Sequence, residues 1–195
     1  MLARAFADPV HDSQRSFRAV MSALARPGTI VPIVATVAPP APLSPAAAAI
    51  ALTLLDYETP VWIDAALAAP REIADWFRFH TGAPITSEPS SAAFAFVADV
   101  ARAPTFETFA QGSIEYPDRS TTLVLQVEQL SGGGGFSLSG PGIAGTRTLA
   151  AAPLPSGFRE QLVRNRALFP RGIDVVLVAK NEIAALPRTV RIDMN

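Results

Sequence analysis

Gly140-Pro141-Gly142-Ile143-Ala144-Gly145 has the G-x-G-x-x-G spacing of a dinucleotide-binding turn. Such a turn holds a pyrophosphate only when a helix begins within it and points its amino end at the ligand. Here Thr146 to Ala152 runs into Pro153 and Pro155, too short a stretch for a crossover helix, so the motif reads as a loop. Gly140 and Gly145 are also spaced as in a P-loop, but Thr146 stands where that loop needs lysine.

The remaining chemistry belongs to arginine and histidine. Arg119 lies beside Ser120 in Tyr116-Pro117-Asp118-Arg119-Ser120, and a loop arginine next to a hydroxyl can hold phosphate or carboxylate. The alternative is a turn capped by Asp118 with a locally paired arginine. Arg78 and His80 close a helical stripe of Ile73, Trp76 and Phe77. His80 can shuttle a proton near neutral pH, or both residues can simply complement a helix carboxyl end. His11-Asp12 belongs to a helix start, and no third member of a triad and no G-x-S-x-G elbow accompanies it. Arg159, Arg164, Arg166 and Arg171 surround Phe169-Pro170, either as a solvated face or as a protein contact.

Composition removes whole classes of mechanism. There is no cysteine, which excludes disulfides, thiolate nucleophiles and thiolate-bound zinc or iron–sulfur clusters. Lys180 is the one lysine among 16 basic residues, so Schiff-base chemistry would have to use it. Two histidines far apart in sequence do not suggest a metal site. A net charge of −1 does not suit a nucleic-acid-coating protein. The start of the chain has no apolar signal segment. Ala46 to Leu55, the longest apolar run, is too short to span a bilayer.

The elements that must position these residues read as an α/β fold with a mixed β-sheet flanked by helices, in a single domain over 1–195. With 195 residues, 49% of them hydrophobic, the chain can bury a sizeable core. Asp8-Pro9 starts a helix that Arg26-Pro27-Gly28 ends. Thr29 to Ala35 is a strand near an edge, because Pro32 interrupts it. Ser44-Pro45 opens a helix apolar nearly all round. Thr59 to Asp64 and Phe94 to Val97 are short strands; Pro70 to His80 is a helix stopped by Gly82, and Thr105 to Ala110 a short helix. Thr121 to Leu130 is the clearest strand, turned by a glycine-rich connection, Gly132 to Gly135, into Phe136 to Ser139. Ser156 to Leu168 is a helix, Ile173 to Ala179 a strand buried on both faces, and Val190 to Ile192 a last short strand.

An ordered set of strings resembles one family. These are Gln14-Arg15-Ser16-Phe17-Arg18, Arg26-Pro27-Gly28, Leu54 to Trp62, Arg78-Phe79-His80-Thr81, Leu130-Ser131-Gly132-Gly133, Gly140-Pro141-Gly142-Ile143, Phe169-Pro170-Arg171-Gly172-Ile173-Asp174 and Leu186-Pro187-Arg188-Thr189. Together they resemble the PhnH family, a subunit of the bacterial carbon–phosphorus lyase machinery for phosphonate breakdown. The resemblance implies a fold similar to that of pyridoxal-phosphate-dependent transferases, without the cofactor. It implies a cytoplasmic homodimer that joins the sister subunits PhnG, PhnI and PhnJ. That assembly makes a ribose 1-alkylphosphonate 5-triphosphate from ATP and phosphonate with loss of adenine. It assigns no catalytic residue, metal or cofactor to this subunit. Within such a complex Arg78, His80, Arg119 and Arg147 are the candidates for holding a phosphate or phosphonate group. A free-standing nicotinamide enzyme using Gly140 to Gly145 is the reading from a different class.

Overall fold

The computed structural model describes residues 5–33 and 36–193. Arg4, and the Val34 and Ala35 of the expected edge strand, lie outside the described residues. The first helix, α1 (Pro9–Ala25), starts where its cap dictates. Asp8 accepts the His11 backbone N–H at 3.1 Å, and Asp12 accepts that of Asp8 at 3.1 Å. A two-residue strand, β1 (Val31–Pro32), precedes α2 (Pro45–Leu54), which Ser44 caps. Ala46 to Ala51 are all buried, and their small side chains let α2 run through the interior. Next come β2 (Val61–Ile63), α3 (Ala65–Ala68) and α4 (Arg71–Thr81). Gly82 ends α4 in the left-handed conformation at φ 74, beside Tyr57.

The chain continues through β3 (Phe94–Val97), β4 (Thr122–Gln126), β5 (Gln129–Ser139), β6 (Arg147–Ala152), α5 (Phe158–Ala167), β7 (Asp174–Ala179), β8 (Glu182–Leu186) and β9 (Arg191–Ile192). Among the described residues, six strands form one sheet in the order β1-β8-β7-β4-β3-β2, and three form a second in the order β6-β5-β9. In the larger sheet β2, β3, β4 and β7 are parallel, while β8 is antiparallel to both β7 and β1. The mixed α/β reading holds.

Alternation along each strand builds two cores. Val124, Val176 and Val178 face α1, α2 and α4. Leu123, Leu125, Val175 and Leu177 face α5 and the small sheet, together with Phe136, Leu149 and Phe158. Each such side chain contributes about 1.5–3 kcal/mol when fully buried. The expected face of Leu123, Leu125 and Val127 and the doubly buried strand before Lys180 are both present.

Several expectations are corrected. The expected strand Thr121 to Leu130 is two strands in two sheets. Gln126 is tied sideways to the 42–44 loop, accepting the Ser44 N–H at 2.6 Å and donating to the Pro42 carbonyl at 3.1 Å. Beyond it the chain crosses to the small sheet. Gly132 to Gly135 is not the hairpin turn. It lies inside β5 where the register shifts between Ser131 and Phe136, so these glycines bulge against β6. The reversal is made by Gly140 to Gly145 instead. Thr105 to Ala110 contributes one 3-10 turn, Phe106–Thr108. β6 and β8 carry no strong strand signal of their own, because alanines fill them and remote partners fix them.

Asp12 ties α1 to the chain after β1. Its carboxyl is held below the ordinary aspartate range, first by the Asp8 backbone N–H, then by Arg15 and Thr36. A carboxyl lowered in the folded state stabilises above its unfolded value, about 4, and loses that contribution as pH falls through the folded value. The melting temperature therefore falls on acidification below about pH 4. Asp12→Asn, followed by thermal unfolding across that range, gives a shallower fall.

Candidate functional site

The four candidate residues sit on three elements. Arg78 and His80 occupy the last turn of α4, where positive charge complements the helix end. Arg78 is exposed and 3.8 Å from Asp75, a surface pair of about 0–1 kcal/mol. His80 is half-buried, its ring 5.0 Å from that of Trp76 and 4.9 Å from that of Phe79. Arg119 is exposed before β4, with its guanidinium 4.2 Å over the Tyr116 ring. Arg147 begins β6 and reaches back to the turn after α1. Its Nη1 donates to the Pro27 carbonyl at 3.1 Å and to Thr29 Oγ1 at 2.5 Å. The structure thus brings Arg78 and His80 together on one helix end and places Arg119 and Arg147 on other elements.

His11 is a helix-start residue, its Nδ1 2.7 Å from Asp8 Oδ2. Among the described residues, no group of three or more histidine, aspartate or glutamate side chains could hold a metal ion. Gly140 to Gly145 is followed by β6 rather than by a helix, so it offers no helix amino end to a pyrophosphate. A pocket of about 290 Å³ opens beside α5, with Phe106 and Leu168 in its lining and the Glu107–Arg164 pair, 3.1 Å apart, at the same site. Its buried amides are already committed. Gln161 binds the Phe106 N–H and the Ser156 carbonyl; Asn165 binds both backbone groups of Ile173.

The densest polar arrangement escaped the residue-by-residue reading. Arg188 and Asp174 form a two-pronged pair, Nη2 to Oδ2 at 2.6 Å and Nε to Oδ1 at 3.2 Å. Asp174 Oδ1 also accepts the Arg188 backbone N–H at 2.8 Å. The same guanidinium donates to the Pro117 carbonyl at 2.6 Å and to Ser120 Oγ at 2.5 Å. Only 13% of the Arg188 side chain and 24% of that of Asp174 remain exposed. One arginine thus joins the end of β8, the head of β7 and the loop before β4. The signal in the sequence was an aspartate opening an apolar strand and an arginine just past the next one. Nothing local connects them until β7 and β8 pair.

Asp64 plays the corresponding part at the opposite end of the sheet. Buried, it caps α3 through the Leu67 N–H at 2.9 Å and accepts the Ala98 and Asp99 N–H groups at 2.9 and 2.8 Å. A third joint connects the two sheets. Gly28, at φ 72, leaves no room for a Cβ, which would lie 2.6 Å from Leu138 Cδ1. At Gly142, φ 81, a Cβ would collide with the Ala25 carbonyl. Arg26-Pro27-Gly28 and Gly140-Pro141-Gly142-Ile143 are therefore two sides of one contact.

The first and third of these joints are built from strings that carry the resemblance. A family model described as "Bacterial phosphonate metabolism protein (PhnH)" matches residues 4–193. The chain belongs to the PhnH family. A PhnH relative from Rhizobium meliloti (strain 1021) is 47% identical over 192 residues, covering 97% of this chain and 94% of its own. That protein is named alpha-D-ribose 1-methylphosphonate 5-triphosphate synthase subunit PhnH. A Stutzerimonas stutzeri protein named putative C-P lyase subunit protein HtxG is 36% identical over 83 residues, 43% of each chain. The PhnH strings Phe169 to Asp174 and Leu186 to Thr189 meet at the Arg188–Asp174 pair, which gives them a structural reason.

Removing one member of a largely buried pair leaves the other charge without its partner. Arg188→Met is expected to cost about 3 kcal/mol of stability. Arg188→Met combined with Asp174→Asn is expected to cost less than the sum of the two single changes. Urea unfolding of the three variants measures both.

Proposed function

We propose that the chain is an accessory subunit of the assembly that makes a ribose 1-alkylphosphonate 5-triphosphate from ATP and a phosphonate, on the carbon–phosphorus lyase route of phosphonate breakdown. One observation carries this reading: the 47% identity to a named synthase subunit runs through nearly the full length of both chains. The structure supports an accessory role by what its polar residues do. The best-connected ones, Arg188, Asp174, Asp64 and Arg147, are spent on joining elements of the fold.

In this reading residues 1–195 act as one domain, cytoplasmic, dimeric when alone, and joined in the complex to PhnG, PhnI and PhnJ. The likeness to the pyridoxal-phosphate-dependent transferase fold, with no cofactor, belongs to the same proposal. Lys180 is in keeping with it, exposed in the tight β7–β8 turn at φ 50. No helix among the described residues is long and apolar enough to cross a membrane.

A second role inside the same complex rests on the exposure of Arg78 and Arg119, neither of which is buried in the fold. Together with His80, and with the Arg147 nitrogens other than the Nη1 held by Pro27 and Thr29, they would each meet a phosphate or phosphonate oxygen where subunits adjoin. Charge-assisted contacts of this kind are the strong ones.

Light scattering after gel filtration tests the main reading. The chain mixed with the three sister subunits is expected to convert into one larger stoichiometric species, and to restore triphosphate formation, followed as adenine release. A chain that elutes unchanged beside all three overturns it. Arg78→Ala and Arg119→Ala are expected to weaken ATP binding by the complex in calorimetry while leaving assembly intact.

A further inference from the structure

A cleft of about 380 Å³ opens at the amino ends of β3 and β4, lined by Ser90, Ser91, Asp118, Arg119 and Ser120, with alanines for the rest of its wall. Ser120 carries an unspent proton. Its Oγ accepts from Arg188 Nη2 at 2.5 Å, so its own O–H points elsewhere, and among the described residues it meets no acceptor. The residue is only 8% exposed, and the cleft is its open side. Asp118 makes no hydrogen bond or ion pair among the described residues, and Arg119 is stacked on Tyr116 at 4.2 Å rather than paired with its neighbour. Other cavities have already used their polar groups. The amides beside α5 bind backbone, and in the cleft at the carboxyl ends of β2 and β3 Asp64 accepts three N–H groups while Asp99 lies 3.7 Å from Arg102.

We infer that this cleft binds a small zwitterion, an aminoalkyl phosphonate, with its phosphonate oxygens on Ser90, Ser91, Ser120 and Arg119 and its ammonium on Asp118. The inference deepens the second role above, on which it rests for the phosphonate, and it names the other end of the ligand. Charge selects the zwitterion. One guanidinium and one carboxylate line the cleft, so a bare anion would meet Asp118 as well as Arg119. A zwitterion answers both, and each end gains a charge-assisted hydrogen bond. Arg188, behind Ser120, is neutralised by Asp174 and adds no net charge. The donors select the head group. A phosphonate presents three oxygens around one phosphorus, which three hydroxyls and a guanidinium can meet from several directions, whereas the two oxygens of a carboxylate lie in one plane. Ser120 is the fixed donor, because the Arg188 bond sets the position of Oγ and polarises its O–H. The volume is at the small end of the range for small-molecule sites, about 300–1,000 Å³, which suits a ligand of few atoms.

Calorimetry on the chain alone and on its mixture with the sister subunits tests this with 2-aminoethylphosphonate, ethylphosphonate and β-alanine. The wild-type chain is expected to bind the first about tenfold or more tighter than either of the others. Asp118→Asn is expected to lose that preference, binding 2-aminoethylphosphonate about tenfold more weakly and ethylphosphonate no worse. Arg119→Gln and Ser120→Ala are expected to weaken both phosphonates about tenfold. Melting temperature reports folding. Ser120 also holds Arg188, so if Ser120→Ala unfolds, the variants of the exposed Asp118 and Arg119 decide. Arg102→Gln, an exposed arginine after the carboxyl end of β3, at the other end of the sheet, is expected to bind as the wild type does. If neither the chain nor the mixture binds 2-aminoethylphosphonate, the site is overturned, and a complex that forms leaves the subunit reading standing. Equal affinity for ethylphosphonate overturns the zwitterion, and equal affinity for β-alanine overturns the phosphonate. A chain that joins no sister subunit overturns the subunit reading instead, and its own calorimetry then decides the site. If Arg119→Gln weakens ATP binding and leaves 2-aminoethylphosphonate unaffected, Arg119 belongs to the triphosphate and the site is overturned as well.

Discussion

A single guanidinium holds one end of this fold together. Arg188 satisfies a carboxylate, two loop oxygens and, through its backbone N–H, the same carboxylate again. A lysine could bring the charge but not the planar fork that reaches Asp174, Pro117 and Ser120 at once. The pair sits where three segments distant in sequence converge, so it fixes the order of β8, β7 and β4 at their ends. Asn165 reinforces the same corner by binding both backbone groups of Ile173, immediately before Asp174. The loops carrying Tyr116 and Phe169 inherit their positions from this corner.

The remainder of the architecture depends on close approach. The small sheet covers one face of the large sheet only because the turn after α1 can press against the β5–β6 reversal. Gly28 and Gly142 remove the side chains that would keep them apart, and Arg147 supplies donors to the carbonyls exposed by the turn. On the other face, the alanines of α2 do the equivalent work for helix against sheet. The arginines of this PhnH chain therefore divide. The largely covered Arg188 and the half-buried Arg147 hold elements in place, while Arg78, close to a carboxylate, and Arg119, stacked on a ring, face outward.

Much of the local structure was legible. The caps of α1 and α2, the glycine stop of α4 and the doubly buried β7 follow from side-chain chemistry within a few residues. Less of the site was legible. Gly132 to Gly135 has the composition of a turn, yet glycine serves a bulge equally well, and only pairing with β6 distinguishes the two. Thr121 to Leu130 alternates without interruption, and alternation does not record which sheet a strand enters. Arg147 looked like a free cation because its acceptors, Pro27 and Thr29, are remote in the chain.

The sequence by itself determined the α/β class, the family, the ends of the principal helices and the absence of any cysteine chemistry. These are properties of composition, short-range periodicity and ordered strings, and they survive without knowledge of contacts. The tertiary structure decided which arginines are anchors and which remain exposed, where the small sheet reverses, and that Asp174 belongs to Arg188. Those outcomes depend on pairing between strands far apart in the chain. An ionic or hydrogen-bonded contact is set by distance in space, which residue spacing does not encode.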